Sequence, residues 1–151
     1  MAIEYRLTLE GAIPLDQMAE YVMLNPTDRA VPAEMPGLLS ADLRDRQSFT
    51  LIVRHGRDGY YEADDDGSDW AWELDVYVNL TFRMAKEGDA ETGVRNMLEA
   101  VSRLLAGRPE DAALILNGDV LLLTRSSGVL RKHRRELWWN RYGFVNDVIP
   151  D

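Results

Sequence analysis

From Trp70 to Met84 the residues alternate without interruption. Trp70, Trp72, Leu74, Val76, Val78, Leu80, Phe82 and Met84 fall on one side. Ala71, Glu73, Asp75, Tyr77, Asn79, Thr81 and Arg83 fall on the other. A helix repeats every 3.6 residues and cannot carry such a pattern, so this segment is a β-strand and a main strand of its sheet. Strands usually run about 3–10 residues, so a bulge or bend is expected within it. The shared phase assigns Trp70 and Trp72 to the core beside Val76, Val78 and Leu80, and projects Asp69, Glu73 and Asp75 from the opposite face.

The rest of the chain reads around that strand. Ile3, Tyr5, Leu7 and Leu9 alternate with polar residues and predict a half-buried strand. Pro14 suits a first helical turn. Leu15, Met18, Ala19 and Val22 continue at helical spacing until Asn25-Pro26 stops the helix. Pro26, Pro32, Pro36 and Gly37 mark a loop. Strands are expected at Leu38–Leu43 and Phe49–Arg54. Gly56 and Asp58-Gly59 then predict a turn into Tyr60-Tyr61, where adjacent tyrosines in a strand must point to opposite faces.

A second helix begins between Asp89 and Thr92. Val94, Met97, Leu98, Val101, Leu104 and Leu105 form its stripe, and Gly107 and Pro109 stop it. Asn117-Gly118 predicts a hairpin between Ala112–Leu116 and Val120–Thr124. One short strand and then irregular or short helical structure are expected in the tail. This order predicts one α+β domain over residues 1–151: a two-layer fold with a mostly antiparallel sheet and two helices packed on one face.

Composition narrows the function. The 151 residues carry net charge -9 and no cysteine, which excludes disulfides and thiolate metal sites. That fits a reducing cytoplasm, as does the absence of a signal-peptide pattern or a membrane-length apolar run. Residues 1–75 hold 16 acids and 6 bases, against 10 acids and 11 bases in residues 76–151. A chain this acidic repels phosphate backbones and attracts basic partners, so a protein partner is expected and nucleic acid is not. Fifteen of its 17 basic residues are Arg, in keeping with a GC-rich genome.

The charge concentrates between Asp58 and Asp75, where eight carboxylates and four aromatics stand without one base. Tyr60, Tyr61, Asp64, Asp65, Asp66, Asp69, Glu73 and Asp75 are therefore the candidate partner-binding residues. An alternative is calcium. Glu62, Asp64, Asp66 and Gly67 approximate the first half of an EF-hand loop, and Glu73 stands at its twelfth position. The first ligand is Glu instead of Asp, and both flanks read as strand where the motif requires helices. No cofactor is expected.

Arg131, Lys132, Arg134 and Arg135 form a basic cluster suited to phosphates or, within the molecule, to balancing the acidic segment. His55 and His133 form no metal spacing. No nucleophile elbow, phosphate loop, dinucleotide fingerprint or His-Glu-x-x-His occurs, so the chain is not expected to be an enzyme. A carboxylate-dependent hydrolase remains the open alternative, and it would need a carboxyl group with a raised pKa.

Three segments carry a resemblance: Gly59-Tyr60-Tyr61-Glu62 leading into Asp65 to Glu73; Gly107-Arg108-Pro109-Glu110-Asp111-Ala112-Ala113-Leu114; and Leu121 to Arg125 with Leu130-Arg131-Lys132-His133. Together they resemble the bacterial immunity-protein family named after the swarming-inhibition toxin systems. The resemblance implies a cytoplasmic protein that binds and blocks a cognate toxin, and a basic toxin would suit the acidic patch. It supplies no catalytic residue set.

Overall fold

A computed structural model describes residues 3–25, 28, 30–32, 37–143 and 147–149. It is an α+β fold dominated by one eight-stranded sheet. In chain order the elements are β1 (Glu4–Glu10), α1 (Leu15–Val22), β2 (Val31–Pro32), β3 (Leu38–Leu43), α2 (Arg44–Gln47), β4 (Phe49–Asp65), β5 (Ser68–Met84), α3 (Ala90–Gly107), β6 (Ala112–Leu116), β7 (Val120–Ser126) and β8 (Val129–Lys132). A π-helical turn follows at Arg135–Trp139. Across the sheet the order is β2-β3-β4-β5-β1-β6-β7-β8, with every neighbouring pair antiparallel. Among the described residues, no helix is long and apolar enough to cross a membrane.

The two expected helices start where the sequence signals them, and a one-turn helix, α2, is added between β3 and β4. Pro14 precedes α1, and Asp89 caps α3 by accepting from the Glu91 N–H and the Thr92 hydroxyl, both at 3.0 Å. Met18, Ala19 and Val22 of α1 and Val94, Met97, Leu98, Val101 and Leu104 of α3 enter one buried cluster. Tyr5, Leu7 and Leu9 of β1, Leu51 and Val53 of β4, Val78, Leu80 and Phe82 of β5, and Ala112 and Leu114 of β6 join it, as do Phe49, Trp138 and Trp139. The proline-bearing loop expected at 26–37 contributes the edge strand β2. Pro26, Thr27, Arg29 and residues 33–36 lie outside the described residues, so the expected helix stop at Pro26 does too.

The expected turn at Gly56 and Asp58-Gly59 is not there. β4 runs straight through it and pairs with β5 from Phe49–Met84 to Asp65–Ser68 in a single register, interrupted only between Arg57–Val76 and Gly59–Leu74. Asp58 takes a left-handed φ of 52°. One residue in that conformation rotates the strand instead of reversing the chain. Leu51 and Val53 face the helices before it. Tyr61 and Ala63, still odd-numbered, join a different cluster after it.

β5 changes face at the same level. Trp70 and Trp72 therefore do not share the helix-side core with Val78, Leu80 and Phe82, although the sequence puts them in phase. They are half-buried against a small second cluster of Ala63, Ala113, Ile115 and Leu121. Ala113 and Ile115 alternate with the helix-side Ala112 and Leu114, so this cluster lies on the opposite face of the sheet. The bend expected in the long strand is thus present, but without a shift in the β4–β5 register.

Candidate functional site

Residues 59–74, the distal parts of β4 and β5, form a two-stranded arm that crosses the sheet face opposite the α1–α3 core to reach β7. Asp66 and Gly67, at φ 50° and 90°, make the two-residue turn at its tip. The inner face carries Tyr61, Ala63, Trp70 and Trp72. Asp64 marks the landing point: it pairs with Val120, and its N–H donates to the Asp119 carbonyl at 2.8 Å.

The tip is locked by the segment after β8. His133, only 4% exposed, places Nδ1 2.6 Å from Asp65 Oδ1 and Nε2 2.8 Å from the Thr124 hydroxyl. A carboxylate accepts, so Nδ1 donates to it, which leaves Nε2 to accept from Thr124 in the neutral ring. Arg134 forms an ion pair with Asp64 through Nη2, and its backbone N–H donates to Asp66 Oδ2 at 3.2 Å. Asp64 Oδ1 also accepts from the Gly67 N–H at 3.1 Å. One member of the basic cluster, Arg134, therefore balances the acidic segment within the molecule, and the adjacent His133 clasps Asp65. Arg135 lies outside the residues whose side chains are described.

Beneath the arm runs a buried polar row. The Thr8 hydroxyl donates to Asn79 Oδ1 at 2.6 Å, and Asn79 Nδ2 donates to the Tyr61 hydroxyl at 2.9 Å. The Arg6 guanidinium lies 4.4 Å from the centre of the Tyr61 ring. Burial, and next the neighbouring Tyr77 hydroxyl, push the Tyr61 phenol pKa up. Strand periodicity could not show that Thr8 and Asn79, ordinary polar residues of half-buried strands, would meet here.

The outer face is the exposed one. Tyr60 is 55% exposed while Tyr61 is half-buried, so one tyrosine faces out and one in. Opposite Tyr60 stands Glu73, opposite Asp64 stands Asp69, and Glu62 faces Ala71. Glu62, Asp69, Glu73 and Asp75 are exposed. The Tyr60 hydroxyl donates to Glu62 Oε1 at 2.8 Å. That bond first, with the nearby charges of Glu62, Glu73 and Asp69, raises the phenol pKa. The eight candidate residues thus divide three ways. Asp64, Asp65 and Asp66 hold the tip, Tyr61 packs inward, and Tyr60, Asp69, Glu73 and Asp75 form an outward surface together with Glu62.

The residues of the calcium alternative do not take the form of an EF-hand loop. Glu62, Asp64, Asp66 and Glu73 are spread along two paired strands and a tight turn, not wrapped in a twelve-residue loop. Among the described residues, no three His, Asp or Glu are grouped so as to hold a metal ion.

The segments that carry the family resemblance meet in space. Arg125 of β7 donates to the backbone carbonyls of Leu105 (2.5 Å), Arg108 (2.5 Å) and Glu110 (2.7 Å), which satisfies groups at the end of α3. Arg108 and Glu110 are ion-paired at 2.6 Å. Asp65 of the first segment meets His133 of the third. Comparison with curated proteins and with solved structures finds no match. The chain belongs to the SitI3-like family of Sit-type immunity proteins, whose family model matches residues 3–143.

Proposed function

We propose that this protein neutralises a cognate toxin by binding it directly, with the outer face of the arm as contact surface and a basic toxin domain as partner. It acts in the cytoplasm, without nucleic acid, cofactor or chemistry of its own. The observation that carries this reading is the placement of Tyr60, Glu62, Asp69 and Glu73 exposed on a ribbon braced along its inner face and at its tip, with exposed Asp75 at its base. A fixed field of one sign speeds encounter with a basic surface, and preorganisation limits the entropy lost on docking.

The test is to express the adjacent reading frame alone and together with this chain, and then with the variant Asp69→Asn/Glu73→Gln/Asp75→Asn. The neighbour should arrest growth and this chain should rescue it. The variant should associate at least about 10-fold more slowly at low salt, with an unchanged melting temperature. A harmless neighbour, or a variant that associates at the wild-type rate, would overturn the reading. Asp64, Asp65 and Asp66 are unsuitable for this test because they hold the arm.

One observation favours a second reading. Asp65, His133 and Thr124 stand in the order of a hydrolase relay: carboxylate, imidazole, hydroxyl. In that case Thr124→Ala would abolish protection. Under direct binding, protection persists.

A further inference from the structure

Under the arm, on the sheet face opposite the α1–α3 core, lies a groove of about 600 Å³. Arg6, Arg54, Tyr60, Tyr61, Tyr77 and Thr81 contribute to its walls. Donors here are the two guanidinium groups, the Tyr77 phenol and the Thr81 hydroxyl; the Tyr60 hydroxyl is already committed to Glu62 and Tyr61 is bonded to Asn79. Two carboxylates border it. Glu4 turns towards Arg83, 4.0 Å away, and Asp58 is exposed at the strand bend.

Among the described residues, neither Arg6 nor Arg54 forms an ion pair, and Arg6 Nε is buried without an acceptor. Native proteins rarely leave a buried donor so, and each case calls for a reason. Arg6 instead rests on Tyr61, a ring held in place by Asn79. A guanidinium oriented by an aromatic ring and lacking an oxygen partner matches the fork of a carboxylate.

We infer that this groove receives an acidic side chain of the protein partner, a glutamate or aspartate, and that it sets specificity while the outer face of the arm sets the association rate. The inference rests on the binding function proposed above. It adds a contact of opposite charge, which a partner that is basic throughout would leave unmet. Tyr and Arg are also the residue types that most often dominate binding energy at protein interfaces.

The groove can be tested on the free protein, independently of any toxin. The arginine Nε–H resonances are followed by NMR during titration with a nine-residue peptide carrying three glutamates. The same peptide with glutamines and inorganic phosphate serve as parallel titrants. The glutamate peptide should shift the Arg6 and Arg54 signals saturably, the glutamine peptide should not, and phosphate should act more weakly. In Arg54→Gln, which keeps the exposed position polar, the Arg6 response should weaken at least about 3-fold. Equal responses to the two peptides, no response at all, or a phosphate response as strong as that of the glutamate peptide would each overturn the inference. Loss of growth rescue with an intact groove response would instead indict the toxin-binding reading alone.

Discussion

Tyr77 lies in a trough made by two residues without side chains, and this sets a measurable limit on β4. A Cβ added at Gly56 would stand 2.1 Å from Tyr77 Cζ, 2.3 Å from its hydroxyl oxygen and 2.4 Å from Cε2. Carbon atoms in contact rest at about 3.5–4.0 Å, so the ring would have to retreat by roughly 1.5 Å. It has little room to do so. It is 7% exposed, packs edge-on against Tyr61 at 5.6 Å, and lies 2.5 Å from where a Cβ on Gly59 would stand. Overpacking of this kind costs about 1–3 kcal/mol, and the reduced freedom of the unfolded chain returns about 0.4–1 kcal/mol. Gly56→Ala is therefore expected to lose about 1–2 kcal/mol in urea unfolding and roughly 2–8 °C in melting temperature. The decisive comparison is a double-mutant cycle with Tyr77→Leu, which lacks all three of the atoms met by the new Cβ. In that background Gly56→Ala should be neutral or mildly stabilising. An equal loss in both backgrounds would refute the steric argument.

Two further outcomes follow. His133→Ala leaves Asp65 without its imidazole partner. It should cost about 1–3 kcal/mol and speed hydrogen exchange at the Asp64 amide, with unchanged protection in α3; slow exchange at Asp64 would show that the tip is held by other contacts. Burial raises the Tyr5 phenol pKa from 10.0 to about 12, so the neutral form is favoured by folding. The stability this contributes is complete below pH 10 and lost between pH 10 and about 12, and Tyr5→Phe should flatten that alkaline decline. A decline of the same depth in Tyr5→Phe would assign it to other groups.

Much of the fold was legible because local rules and tertiary packing agree. β3 occupies the expected Leu38–Leu43, Asp89 caps α3, and the Asn117-Gly118 hairpin forms. The arm was not legible, for two reasons. Asp58-Gly59 announces a residue tolerant of positive φ, which sequence reading takes for chain reversal; here that tolerance rotates an uninterrupted strand. Hydrophobic alternation likewise records that Trp70 and Val78 are both shielded from water, but not that they are shielded by different faces of the sheet. The acidic segment stood out at once, and its split into structural carboxylates at the tip and exposed ones on the outer face depends on His133 and Arg134. Nothing in the spacing of those two residues points back to Asp64, Asp65 or Asp66.

The clasp on the arm also has a place in time. Asp65 and His133 are 68 residues apart. At the usual ~5–20 residues per second of synthesis, roughly 3–14 s separate their appearance on the ribosome. Over that interval the hairpin can pair with itself, the tryptophans on its inner face wait for β6 and β7, and the tip, once it meets Asp119 and Val120, still lacks its imidazole clasp. The arm is thus half built early and clasped late, so a nascent chain released before residue 133 would carry the charge pattern of the finished protein without the clasp that fixes its geometry.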